Sequence, residues 1–378
     1  MFNVSRKLTL FITLLASMCL FMVSFPAQAA SITLSPPKYE FTIDKGGTVG
    51  QSIAITNGED KELVLEMSKA DFVAEGEAGK ARFIEGGEGS NAFSVSSWIT
   101  IPSEPVVVPP LGRVSVPFSI AVPSDAEAGG HFGTIFFSPV ADAGGDVAIR
   151  QKVGTLILVR VSGQIEESAD LTLFGTFSAG TTDTDFSEAK AQAFFSKFPA
   201  AFAVRIQNTG NVHVKPQGSI TLKNMFGKPI ARVGEELVLN PAGAVTGTKL
   251  VDYIPVNDGA GNVLPNSSRV FVQPWNGYGS QVIGSENTRH IVWNGVGFGR
   301  YTAELDLGYG STRFPVSTIH FWIIPWFIIL PFLVALAAVI LLFRVLRKRS
   351  RERLKRQLRE EIIRDQSSSM PDEYENKE

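Results

Sequence analysis

Residues 113–122 have the sequence RVSVPFSIAV, in which every second residue is a large apolar one. The large apolar residues are Val114, Val116, Phe118, Ile120 and Val122. Because side chains alternate between the two faces of a β-strand, this spacing predicts a strand with one buried face. Pro117 lies on the other face, and since proline donates no ladder hydrogen bond, it indicates an edge strand.

The same alternation recurs on the N-terminal side of this strand. Leu63, Leu65 and Met67 follow residues 48–56 across the turn-forming segment 57–60, which predicts two neighbouring antiparallel strands. Residues 130–137 and 155–161 are more uniformly apolar, as expected of central strands in a sandwich.

A second set of short alternating segments begins near Ala169. It includes Phe202, Val204 and Ile206, and it ends with alternating apolar residues at 301–307. No long amphipathic helix interrupts either set, and turn-forming residues separate the segments. The sequence therefore predicts an all-β fold with two tandem immunoglobulin-like β-sandwiches, at residues 30–165 and 166–312, followed by a single transmembrane helix.

The N-terminal segment has the pattern of a secretory signal peptide. Arg6 and Lys7 precede an apolar run that extends to about Phe25, and small residues follow, so we predict a signal peptide at residues 1–29. The one cysteine, Cys19, lies inside this segment behind Met18, which disfavours a lipid anchor there. The mature chain would then contain no thiol, which excludes disulfides and cysteine-based metal sites.

The C-terminal part predicts a membrane anchor and its orientation. Residues 321–343 carry no charge and are long enough to cross a hydrocarbon core of roughly 30 Å. Basic residues follow at once, beginning with Arg344, Arg347, Lys348 and Arg349. Since positive residues flank the cytoplasmic end of a span, we expect a cytoplasmic tail at 344–378 and a large N-terminal ectodomain outside the plasma membrane.

Composition and motifs argue against several kinds of chemistry. The four histidines are scattered without ligand-like spacing, and no hydrolase or phosphate-binding motif occurs. Without residues 1–7 and 344–378, the net charge of the chain is about −7, whereas a nucleic-acid-binding domain is usually basic. We therefore predict no enzyme activity, no catalytic residue, no metal, no cofactor, no small-molecule substrate and no nucleic-acid partner.

An aromatic and glycine-rich region near the end of the second sandwich is a candidate binding patch. Its candidate contact residues are Trp275, Tyr278, Trp293 and Phe298, because exposed rings beside glycine loops can stack on sugars or fill protein pockets. The alternative is that Trp275 and Trp293 pack inside the sandwich, since aromatic side chains are more often buried than exposed.

Several segments together resemble a known bacterial family. Residues 32–37 (ITLSPP), 122–137 (VPSDAEAGGHFGTIFF) and 208–220 (NTGNVHVKPQGSI) are similar to the WxL-interacting proteins, as is the order of signal peptide, two β-domains, one helix and a basic tail. The resemblance implies that the first domain contacts cell-wall polymer and that the second binds partner surface proteins.

The predicted function is therefore that of a non-catalytic, membrane-anchored surface protein that binds wall polymer or other surface proteins. Two alternatives stay open. One is a chaperone-like assembly factor in which a sheet edge accepts a strand from a client protein. The other is a wall hydrolase whose site matches no motif considered above.

Overall fold

The computed structural model describes residues 32–84, 93–140, 152–178, 190–196, 200–230, 233–239, 245–275 and 297–368. The predicted signal peptide lies outside these residues. The chain divides into two compact units at Ser168, close to the predicted boundary, with segment 76–80 grouped with the second unit and 210–213 with the first. Each unit is an immunoglobulin-like β-sandwich with its own core.

The described part of the first sandwich contains ten strands. They are β1 Ile32–Ser35, β2 Lys38–Ile43, β3 Thr48–Asn57, β4 Leu63–Glu75, β5 Lys80–Ile84, β6 Ile99–Thr100, β7 Val106–Val108, β8 Arg113–Ala121, β9 Gly129–Pro139 and β10 Val153–Val161. One sheet has the order β1-β3-β8-β6, and the other has the order β2-β10-β9-β4-β5, with β7 also paired to β4.

The N-terminal segment of this sandwich contributes to both sheets. Strand β1 is antiparallel to β3, whereas β2 is parallel to β10 in the opposite sheet. The change of sheet occurs at Pro36 and Pro37, and the peptide bond between Ser35 and Pro36 is cis. Two prolines end β1 naturally here, because neither can donate a ladder hydrogen bond.

The predicted alternation in β8 is confirmed, because its apolar face packs into the core of the first sandwich. Val116, Phe118 and Ile120 are buried, and the small or polar residues between them face outward. Strand β8 lies between β3 and β6, so it is not strictly an edge strand. However, β6 has only two residues and pairs only with Ser119 and Ile120. It therefore ends before it reaches Pro117.

The predicted pairing of residues 48–56 with residues 63–67 is wrong. Strand β3 pairs with β1 and β8, whereas β4 belongs to the other sheet and pairs with β9. The turn between them carries the chain from one sheet to the other. Asn57 holds this turn, since its side-chain nitrogen donates to the carbonyl oxygens of Lys61, at 2.7 Å, and Pro109, at 3.1 Å.

The described part of the second sandwich contains eleven strands. They are β11 Ala169–Ser178, β12 Phe194–Phe195, β13 Ala200–Asn208, β14 Gln217–Lys223, β15 Gly234–Leu239, β16 Val245–Val251, β17 Ile254–Val256, β18 Ser268–Trp275, β19 Gly299–Tyr309, β20 Thr312–Arg313 and β21 Ser317–Ile323. One sheet has the order β11-β13-β18, the other has the order β12-β21-β19-β14-β17 with β20 on β19, and β15 pairs with β16 in a two-stranded ribbon.

A single α-helix, α1, spans Trp326–Ser368 in the described chain, and Ser96–Trp98 form one short turn of 3₁₀-helix. The start of α1 corrects the predicted span of 321–343, because Phe321 and Ile323 are buried residues of β21 and pair with β19. Apolar residues that alternate at the end of a strand merge with an apolar helix in any hydropathy average, so the sequence did not separate the two. The helix also continues past Phe343 through most of the predicted cytoplasmic tail.

Candidate functional site at the helix end of the second sandwich

The junction between β21 and α1 is short and hydrogen-bonded. The Ile324 amide donates to the Phe195 carbonyl oxygen at 2.8 Å, which extends the pairing of β21 with β12 by one residue. The Trp326 amide donates to the Ile324 carbonyl oxygen at 2.8 Å, and the Ile328 amide donates to the Pro325 carbonyl oxygen at 2.9 Å. The helix therefore begins almost directly where the folded sheet ends.

The first half of α1 has no protein surface packed on it. Residues 326–343 are apolar on every side, and none of the most hydrophobic window of the helix is buried. At 1.5 Å per residue this part is about 27 Å long, close to the thickness of a hydrocarbon core. Among the described helices, α1 alone is long and apolar enough to cross a membrane.

The predicted topology residues follow this apolar half without a break in the helix. Arg344, Arg347, Lys348 and Arg349 are all exposed and lie within the first two turns after Phe343. Such a boundary between apolar and basic residues matches the place where a helix leaves the hydrocarbon for the headgroup layer.

The predicted aromatic patch is corrected at Trp275. Its side chain is only 1% exposed and packs against Tyr301, with ring centroids 5.4 Å apart, and against Phe202, at 6.3 Å. A ring enclosed in this way cannot stack on a ligand. Trp275 is therefore a core residue, as the alternative interpretation of the sequence expected. Tyr278 and Trp293 lie outside the described residues.

Phe298 is an exposed residue of the predicted patch, with 63% of its surface accessible. It precedes Gly299, the first residue of β19, and therefore lies at the end of the sheet from which α1 leaves. Three more exposed apolar residues, none of them among the candidates predicted from sequence, lie at the same end: Phe194, Phe226 and Trp322. Their separation in sequence gave no sign that they would be neighbours at one end of a sheet.

The side chains of His131 and His320 lie within hydrogen-bonding distance of other groups of the fold. Both ring nitrogens of His131 lie within hydrogen-bonding distance of backbone carbonyl oxygens, those of Ser94 at 3.1 Å and Glu127 at 2.9 Å. His320 Nδ1 is 3.0 Å from Thr302 Oγ1. In the described part of the chain, no three His, Cys, Asp or Glu side chains form a group that could hold a metal ion.

No protein-family model matches the chain, and no curated protein matches its sequence. Among solved structures, it is similar to the class 5 fimbriae chaperone CfaA, with 8% identity, coverage of 77% of this chain and 99% of that chain, and a TM-score of 0.33. It is also similar to the YadV chaperone, with 9% identity, 76% and 99% coverage, and a TM-score of 0.33. The E. coli chaperone DraB gives 10% identity, 77% and 98% coverage, and a TM-score of 0.29. Similarities this small carry no argument about function or partners.

Proposed function

We propose that this protein is a non-catalytic, single-pass membrane protein that holds two immunoglobulin-like binding modules outside the cell. The observation that carries the proposal is the structure of α1. No residue of its apolar half is buried, the helix begins almost directly after a folded sandwich, and the apolar half ends at a run of arginine and lysine residues. An apolar helix surface of this size is stable only in lipid, because both sandwich cores are already filled by their own strands.

The proposed orientation rests on the distribution of positive charge. Arg344, Arg347, Lys348 and Arg349 lie at the C-terminal end of the apolar half, whereas the nearest arginine or lysine before α1 is Arg313. Since cytoplasmic flanks carry the excess of Lys and Arg, the C-terminal part of α1 lies in the cytoplasm and both sandwiches lie outside.

The orientation can be tested by cysteine labelling, because Cys19 is the one cysteine of the chain. In a Cys19→Ser background, Ser311→Cys places a thiol on an exposed turn of the second sandwich, and Ser350→Cys places one on α1 beyond the basic run. We expect a membrane-impermeant maleimide to label the first variant on intact cells and the second only after permeabilisation. The opposite pattern would exclude the proposed orientation, and recovery of the protein in the soluble fraction would exclude the anchor.

The modules are proposed to bind cell-wall polymer or other surface proteins. Support comes from the resemblance to WxL-interacting proteins and from the architecture, since tandem sandwiches offer loops and sheet edges as extended contact surfaces. The test is to present the full-length protein in nanodiscs to purified cell walls and, separately, to solubilised surface proteins. Retention by neither fraction would refute this part of the proposal.

A second candidate function, strand addition to a client protein, is favoured by the position of β2. This six-residue strand pairs with β10 and with no other described strand, so it is an edge of its sheet. The Pro37 carbonyl oxygen accepts a hydrogen bond from the Leu156 amide of β10, and the Ile43 carbonyl oxygen accepts one from the Ser162 amide directly after β10. By the alternation of the ladder, the backbone of Thr42 points away from β10. An exposed edge of this kind is a template for another strand.

Removal of the Thr42 backbone amide, a hydrogen-bond donor on the open side of β2, tests strand addition. Thr42→Pro removes one amide on the open side of β2, and we expect it to weaken client capture while the pairing with β10 persists. Gln51→Ala, at an exposed position of β3, is the matched control. If Thr42→Pro captures clients as well as the wild type does, β2 is not the docking edge. A hydrolase has no observation in its favour in the described part of the chain.

A further inference from the structure

The outer face of the sheet that leads into α1 ends in a row of large aromatic side chains. Phe194 in β12 is the parallel partner of Trp322 in β21, and Trp322 is the antiparallel partner of Arg300 in β19. Paired residues share one face of a sheet, so these three side chains lie side by side. Phe194 is 67% exposed and Trp322 is 39% exposed, whereas their chain neighbours Phe195 and Ile323 are in the core.

The rows farther from the helix on this same face are polar. The next row pairs Thr302 with His320 and includes Lys223, which also pairs with Thr302. The row after it pairs Glu304 with Thr318, and the Glu304 carboxylate is 2.6 Å from Lys223 Nζ. Among the residues that the structure describes, the exposed aromatic side chains of this outer face therefore lie at the end at which α1 begins.

The turn after β14 adds two more apolar side chains at this end. Met225 and Phe226 are exposed, Phe226 by 78%. The turn is closed by the Asn224 side chain, whose oxygen accepts hydrogen bonds from the amides of Phe226, at 3.0 Å, and Lys228, at 3.1 Å. These bonds fix the backbone of the turn, on which the Phe226 side chain is exposed.

The turn lies close to β19, because the Met225 side chain packs against Gly299. A Cβ atom placed on Gly299 would lie 2.9 Å from Met225 Sδ, so the turn packs on the first residue of β19. Gly299 in turn pairs with Ile323, the last residue of β21. Phe298, directly before Gly299, therefore lies beside the turn and near the start of α1. We name these five residues the aromatic rim: Phe194, Met225, Phe226, Phe298 and Trp322.

The junction limits how far the rim can be from a membrane that α1 crosses. Ile323 and Trp326 are three residues apart, and consecutive Cα atoms are 3.8 Å apart, so their separation is at most about 11 Å. The N-terminal turn of α1 enters the hydrocarbon, and exposed Trp326 is suited to the interface above it. The end of the sheet consequently lies at most about 11 Å from the start of α1, which is close to the headgroup layer of a membrane that α1 crosses.

From this geometry we infer that the aromatic rim inserts into the interfacial layer of the bilayer that α1 spans, so that the second sandwich is docked end-on against lipid. The inference rests on the proposed anchor. Aromatic rings and methionine are stabilised at the boundary of headgroups and acyl chains, and the exposed cations Arg300 and Lys228 beside them suit anionic phosphate groups. Lipid is favoured over a protein partner as occupant, because the short junction places the bilayer at this end.

Depth-dependent fluorescence quenching in pure lipid nanodiscs tests the inference on the full-length chain. Single cysteines for a bimane probe are placed in the Cys19→Ser background at Phe226, Phe298, Leu336 and Ser311. Leu336→Cys reports the anchor. Ser311→Cys lies in the turn after the opposite end of β19, whose two ends, Gly299 and Tyr309, are about 33 Å apart at 3.3 Å per residue. Brominated phospholipids quench only probes that contact lipid.

We expect strong quenching at Leu336→Cys, clear quenching by shallow brominated lipids at Phe226→Cys and Phe298→Cys, and none at Ser311→Cys. If both rim positions behave as Ser311→Cys does while Leu336→Cys is quenched, the inference is overturned and the anchor stands. If Leu336→Cys is not quenched either, the proposed anchor fails. A protein as the true occupant would give unquenched rim probes in nanodiscs that contain lipid alone.

A second measurement separates docking from chance proximity. With the probe at Phe298→Cys, Met225→Ser combined with Phe226→Ser removes the apolar tip of the turn, and we expect at least a twofold loss of quenching. Val316→Ser removes an exposed apolar side chain just before β21, at the other end of that strand, and is the matched control. Equal quenching in the two backgrounds would mean that the tip does not hold the sandwich on the lipid.

Discussion

The ring of Phe321 packs nearly perpendicular to the indole of Trp275, with ring centroids 6.0 Å apart. Phe321 also contacts Tyr301, at 5.6 Å, and Phe202, at 5.7 Å. These four rings come from β21, β18, β19 and β13, so the cluster joins the two sheets of the second sandwich. A residue only a few positions before α1 is thus part of the core.

Truncation of this cluster should destabilise the protein strongly. We expect Phe321→Ala and Trp275→Ala each to lower the free energy of unfolding by about 3–5 kcal/mol, because each leaves a large cavity between the sheets. Phe298→Ala, at an exposed position, should change it by about 0.5 kcal/mol or less. Denaturant unfolding of the detergent-solubilised protein measures all three, and a similar small effect at all positions would contradict the buried placement.

A buried asparagine ends a core strand in each sandwich. The Asn57 side chain bonds to the Lys61 and Pro109 carbonyl oxygens, and the Asn208 side-chain nitrogen donates to the Val263 carbonyl oxygen at 2.8 Å. We expect Asn57→Ala and Asn208→Ala each to cost about 1–3 kcal/mol, since buried carbonyl groups lose their donor. Gln51→Ala serves as the exposed control, and its thermal midpoint should match that of the wild type.

Asp71 organises the segment before β6. Its carboxylate accepts hydrogen bonds from the amides of Val95, at 2.8 Å, and Ser96, at 2.7 Å, and from the Ser96 hydroxyl, at 2.8 Å. We expect Asp71→Ala to cost about 1.5–3 kcal/mol, the range for hydrogen bonds to a charged group, and Ser96→Ala to cost less because the two amide bonds remain. Thermal unfolding checks the order, and a larger loss for Ser96→Ala would show that the hydroxyl dominates.

We expect the phenol of Tyr39 to make the stability of the first sandwich depend on alkaline pH. Burial raises the pKa of Tyr39 above its ordinary value of 10.0, and the hydroxyl donates to the Ser52 carbonyl oxygen at 2.6 Å. A group whose pKa is higher in the folded state contributes stability that is complete below the unfolded pKa and lost as the pH rises through the folded pKa. The relevant window therefore begins near pH 10.

We expect the denaturation midpoint of the wild type to fall more steeply above about pH 10 than that of Tyr39→Phe, which has no ionisable group at this position. The measurement is denaturant unfolding at a series of pH values, monitored with a spectroscopic signal that reports on the first sandwich. Parallel curves for the two proteins would exclude a contribution from Tyr39.

Parts of the candidate site followed from sequence, and parts did not. The exposed Phe298 and the basic residues from Arg344 onward were selected from sequence, because a solvated loop and a charge run depend on local composition. For Trp275 the sequence left a binding position and a core position open, since one aromatic residue at a strand end fits both, and the structure places it in the core. Phe194, Phe226 and Trp322 are brought together by strand register, which no local pattern contains.

The sequence by itself determined the all-β class, the alternation of β8, the central strands β9 and β10, and an apolar helix followed by positive charge. These properties follow from the alternation of apolar and polar residues along a strand or from local hydropathy. Both depend only on residues that are close together in the sequence. Tertiary structure decided that β3 pairs with β8 rather than β4, that Phe321 enters a core before α1 begins, and that an aromatic rim forms at the helix end. Those outcomes depend on which distant strands pair, and the free energy of pairing belongs to contacts between residues far apart in the chain.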